Sequence, residues 1–77
     1  MKEPELKQYF ALYTDCWKFF RKYVEWIGGV DQDTFWKQAV EESAQLYAKY
    51  RKSEFAKKLL AETMAEIDRV YKREGLE

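Results

Sequence analysis

Between Pro4 and Gly28 no residue breaks a helix, and apolar side chains fall on two parallel lines along that stretch instead of one. Leu6, Phe10, Tyr13, Trp17, Phe20, Val24 and Ile27 step by four and three residues, the heptad spacing of helices that cross at about +20°. One position earlier at each step run Tyr9, Leu12, Cys16, Phe19, Tyr23 and Trp26. At about 100° per residue the two seams span an apolar arc on the order of 200°, twice the stripe that a surface helix needs. A helix dressed this way either packs against two neighbours of its own chain or holds a partner.

Punctuation further along the chain fixes the number of elements. Pro4 suits a first helical turn and Gly28 a left-handed cap, so the first helix is expected over about 4–27. Asp31 caps a second helix of about 32–51, with Val30 and Phe35 placed as a hydrophobic staple. Ser53 caps a third of about 54–74, whose apolar face is Phe55, Leu59, Leu60, Ile67 and Val70 and which Gly75 closes. Both connections are short, which makes successive helices antiparallel neighbours. The expectation is an all-α, up-down-up three-helix bundle forming one domain over 1–77.

In a chain of 77 residues the core has to be built from large side chains, because so small a domain buries only about 60% of its unfolded surface. Three Trp, six Tyr and five Phe meet that need. The first seam is the expected core line, and two neighbouring helices account for most of the second. Phe19 and Trp26 lie farthest round, with Tyr23 at their border, so these three are the expected partner-binding residues. Half-burying one such ring, near 100 Å², is worth roughly 2.5 kcal/mol. In a symmetric dimer each ring counts twice, and four half-rings supply on the order of 10 kcal/mol against an association cost of roughly 4–15 kcal/mol. Self-association as a homodimer is therefore within reach.

Charge excludes more than it suggests. Fourteen Lys plus Arg balance fourteen Asp plus Glu, which removes bulk electrostatic attraction to nucleic acid or an anionic membrane. Locally, Lys49, Arg51, Lys52, Lys57 and Lys58 surround the second turn, with Tyr50 and Phe55 among them. Basic residues interleaved with aromatics hold phosphates and stack bases, so a weak nucleic-acid or phosphate contact there is the alternative function. Glu25, Asp31, Asp33, Glu41 and Glu42 make the opposite end acidic, a segregation suited to orienting a partner.

No constellation for catalysis is present in the sequence. Without histidine the usual proton shuttle and commonest metal ligand are missing, and Cys16 has no imidazole partner to activate it. Glu41 and Glu42 diverge on a helix surface, and Glu62 with Glu66 forms a solvent-facing pair near Arg69. The expected protein is no enzyme, with no cofactor and no metal. One cysteine suits a reducing compartment, and the acidic start Met1–Glu5 has no signal-peptide character. No apolar run reaches the roughly 20 residues of a membrane span, so a cytoplasmic location is expected.

The run from Tyr13 to Tyr23, followed by Asp31, Phe35, Trp36 and Glu41, resembles small uncharacterised helical proteins of prophages and conjugative elements in Gram-positive bacteria. That resemblance implies a bacterial cytoplasm and an accessory role in a mobile element. It assigns no site. The expected function is a noncatalytic protein-protein interaction or self-association module that uses an aromatic surface of its first helix.

Overall fold

Local signals in the sequence place every helix start within a residue of where it is found. The computed structural model describes residues 1–74, and in it α1 covers Glu3–Trp26, α2 Gln32–Lys49 and α3 Glu54–Arg73. Pro4 occupies the first turn of α1, where a missing N–H costs nothing, and Glu3 and Glu5 face the positive end of its dipole. The Asp31 carboxylate accepts the Thr34 N–H at 3.0 Å and the Thr34 hydroxyl at 2.7 Å, which starts α2. Those bonds hold the Asp31 carboxyl below the usual carboxylate range. Ser53 Oγ accepts the Ala56 N–H at 3.1 Å and starts α3. Gly28 takes φ of +85° just past the end of α1, as a left-handed cap requires.

The end of α2 differs from expectation by two residues. Tyr50 is the cap, and the N–H groups of Arg51 and Lys52 return to the carbonyls of Ala48 and Tyr47 at 3.0 and 2.9 Å. This is a Schellman cap with Arg51 and Lys52 at φ of +58° and +55°, conformations that usually call for glycine. The expected closure by Gly75 lies outside the described residues.

All three helix pairs are in contact, which makes the bundle an all-α three-helix fold with no strand among the described residues. Its core has two clusters. The larger is aromatic, with Phe19, Tyr23, Phe35, Ala39, Ile67 and Tyr71 at its centre. Phe35 is the hub, 5.6 Å from Tyr23, 4.9 Å from Trp36 and 5.0 Å from Tyr71, in edge-on and tilted geometries that favour aromatic pairs. Val30 packs against this same cluster, as the staple predicts. The smaller cluster, Leu12, Cys16, Ala56 and Leu60, fills the end near the α2–α3 turn. Ala39 and Ala56 are fully covered, and these small side chains let neighbouring helices approach the rings of α1.

With 24 residues α1 is about 36 Å long, against about 27 Å for the 18 residues of α2. The excess lies at its N-terminal end. Every residue from Glu3 to Phe10 is exposed, and the first buried residue is Leu12.

Candidate interaction surface

Residue by residue, the two seams of α1 change places. The line expected to bind a partner supplies the core: Phe19 and Tyr23 are each 1% exposed, with Leu12 and Cys16 buried below them. Phe19 meets Tyr23 edge-on at 5.1 Å. Trp26 is half-buried, 5.7 Å from Tyr23 and 6.2 Å from Phe35, and it shows one edge beside Lys18, Lys22 and Glu25. Phe19 and Tyr23 therefore offer nothing to a partner, and Trp26 offers only an edge.

The line expected as core is the exposed one over its first half. Leu6 is 51% exposed, Phe10 74%, Tyr13 54% and Trp17 56%. Farther along, Phe20, Val24 and Ile27 turn under and pack against the aromatic cluster. Polar contacts between helices fall on the side that this rotation turns toward α2. Lys22 donates to Glu42 of α2 at 2.7 Å, and the Tyr23 hydroxyl donates to the same carboxylate at 3.1 Å. Lys49 donates to Asp15 at 2.7 Å, and Tyr50 donates to it as well. Asp15 and Lys22 lie on the flank of the second seam, away from the first, and α2 must sit on that flank to meet them.

These contacts leave a legible electrostatic signature. Burial alone would raise the Asp15 carboxyl, but the Lys49 and Tyr50 hydrogen bonds and the nearby cations outweigh it and hold Asp15 below the usual carboxylate range. Burial first, then the Glu42 charge and hydrogen bond, push the Tyr23 phenol up to about 12. Tyr50 is raised by burial and by Asp15. Burial also raises the Cys16 thiol, which is the opposite of an activated nucleophile.

The exposed stripe continues onto α3. Phe55 lies 5.6 Å from Tyr9 and 5.9 Å from Tyr13, both edge-on, and Trp17 stacks on Phe20 at 6.3 Å. Between α1 and α3 a shallow groove is lined by Tyr13, Trp17, Phe20 and Thr63, with Glu62 and Glu66 along its α3 wall. Aromatic side chains present about 150–250 Å² each, so the stripe with Tyr9 and Phe55 leaves on the order of 600 Å² of contiguous apolar surface. That is at the top of the roughly 300–600 Å² range for the largest patch on a monomer.

Elsewhere the expected anion contact is split. Lys49 turns to Asp15, whereas Arg51, Lys52, Lys57 and Lys58 are exposed around the turn. Among the described residues no group of three or more His, Cys, Asp or Glu side chains is placed to hold a metal ion, and no helix is long and apolar enough to cross a membrane. Comparison of the chain with protein-family models, with curated proteins and with solved structures finds no match.

Proposed function

We propose that this chain is a noncatalytic protein-interaction module whose contact surface is the Leu6, Phe10, Tyr13 and Trp17 face of α1. The observation that carries this reading is an aromatic stripe left in solvent by a bundle whose core is already filled by Phe19, Tyr23, Phe35 and Tyr71. Holding those rings in water has no benefit to the fold, and covering them is worth several kcal/mol at roughly 25 cal/mol per Å². Rigid aromatic anchors on a helix are the residue types that dominate binding energy at protein interfaces. The resemblance noted from the sequence would set this module in a bacterial cytoplasm, as an accessory of a mobile element.

The test replaces Phe10 and Trp17 with glutamine, two changes that touch no buried residue. The variant keeps its helical circular dichroism and a cooperative urea transition, and it loses the association that the wild type shows with itself or with another protein. Association by an aromatic surface changes little with salt, whereas a phosphate contact through the basic turn weakens steeply as salt rises. Retention of every association by the folded Phe10→Gln, Trp17→Gln variant refutes the reading.

A further inference from the structure

We infer that the stripe is covered by a second copy of the chain, with the two α1 helices antiparallel and the arm of each copy lying in the α1–α3 groove of the other. The inference rests on the interaction-module reading and names its partner. Three observations point to it.

The first is the spacing. Leu6, Phe10, Tyr13 and Trp17 are separated by four, three and four residues, an order that is the same read in either direction. A two-fold axis crossing α1 between Phe10 and Tyr13 therefore maps the stripe onto itself. Leu6 then faces Trp17 across the interface, and Phe10 faces Tyr13. An isologous contact requires this kind of self-complementarity.

The second is the arm. Leu6 and Phe10 project past the first core layer of Leu12 and Ala56, so no helix of their own chain covers them. Helices this short are marginal when isolated in water. Because Phe55 near the start of α3 touches Tyr9 and Tyr13, α3 runs alongside α1 from that height toward Phe20. The same two-fold axis consequently lays each arm along the groove of Tyr13, Trp17, Phe20, Glu62 and Glu66. From Glu3 to Phe10 the arm spans seven helical steps, about 10 Å, and from Tyr13 to Phe20 the groove spans the same seven steps.

The third is charge and area. The chain carries no net charge, so two copies approach without long-range repulsion. Two stripes of on the order of 600 Å² bury at most roughly 1,200 Å² in total, the lower edge of specific interfaces.

In sedimentation equilibrium from about 1 to about 500 µM, a range that covers weak dimers, the average mass should rise from one chain to two. Register is read by cysteine pairing. An oxidised mixture of Leu6→Cys and Trp17→Cys chains should give a cross-linked heterodimer. Leu6→Cys alone should not, because the two Leu6 positions would stand about 16 Å apart, well beyond disulfide reach. Wild type, with only its buried Cys16, is the control.

Cross-linking of Leu6→Cys with itself as readily as with Trp17→Cys overturns the antiparallel arrangement. A monomer throughout the range overturns the second copy as occupant. If that monomer still binds another protein through Phe10 and Trp17, only the choice of partner has failed. If no association depends on those residues, the interaction-module reading has failed too.

Discussion

Replacing Phe19 and Trp17 by alanine, one at a time, should separate the two seams of α1 by their energies. Phe19 is 1% exposed and meets Tyr23 at 5.1 Å, so its removal takes a whole ring from the larger core cluster and leaves a ring-sized void. Such a change costs about 3–5 kcal/mol. A domain of 77 residues has about 4–11 kcal/mol of stability in all, at roughly 0.05–0.15 kcal/mol per residue. Phe19→Ala therefore removes about a quarter of the total or more. Trp17 keeps more than half of its surface in water, and its main ring contact is Phe20 on its own helix. Trp17→Ala should cost only about 1 kcal/mol. The assay is urea unfolding followed by far-ultraviolet circular dichroism at about 1 µM, dilute enough that self-association adds nothing to apparent stability. Phe19→Leu, expected to cost about 1–2 kcal/mol, keeps the comparison measurable if the alanine variant does not fold. Equal losses at positions 17 and 19 would refute the assignment of core and surface.

Arg51→Gly should stabilise the bundle by about 0.5–1 kcal/mol, because glycine occupies the left-handed cap position without the strain that an arginine bears there; an unchanged or lower urea midpoint argues against that cap. At high pH the raised Tyr23 acts as a destabilising switch. Its phenol is neutral in both states below pH 10, and the stability this gives is lost as pH rises from the unfolded value near 10 through about 12. Over that window wild type should lose about 1.4 kcal/mol per pH unit more than Tyr23→Phe in paired unfolding curves. Asp15 works in the opposite direction: its depressed carboxyl contributes stability above the ordinary value near 4 that disappears as pH falls through the lower folded value. Asp15→Asn should cost about 1 kcal/mol at pH 7, with the deficit shrinking in acid below about pH 4; a deficit constant from pH 7 to pH 2 would contradict the ion-pair account.

What the sequence discloses about this fold is mainly local. Asp31, Ser53, Pro4 and Gly28 act within one turn of themselves, so the helix starts and the first turn follow from residue type alone. Arg51 and Lys52 break that logic, since left-handed conformations at two basic residues are imposed by the packing of Tyr47 and Tyr50 and have no glycine to announce them. The seam exchange has a different origin. Both lines of α1 keep heptad spacing, and periodicity within one helix cannot say which line faces inward. That choice is made between helices, where the second line packs with Phe35, Ala39, Ile67, Tyr71, Ala56 and Leu60, and the pairs of Asp15 with Lys49 and Tyr50 and of Lys22 and Tyr23 with Glu42 fall on the same side. A signal was present in the sequence: two charged residues flank one seam of α1, and their opposite charges recur on α2. An excess of aromatic surface on α1 was thus readable, whereas the identity of Phe10, Tyr13 and Trp17 as its bearers required the neighbouring helices.

The uneven division of the core gives the molecule a direction. Most of its interlocked rings stand at one end, around Phe35, while the end beside the arm is built on the smaller side chains of Leu12, Cys16, Ala56 and Leu60, with Leu46, Tyr47, Tyr50 and Leu59 packed against them. Fewer apolar contacts mean that native-state opening starts there, and amide protons near Leu12 and Ala56 exchange before those near Tyr23 and Ile67. Two of the three optical probes stand at one end of this gradient. Trp26 and Trp36 pack against the tight cluster, so their fluorescence follows that end and does not register fraying beside the arm.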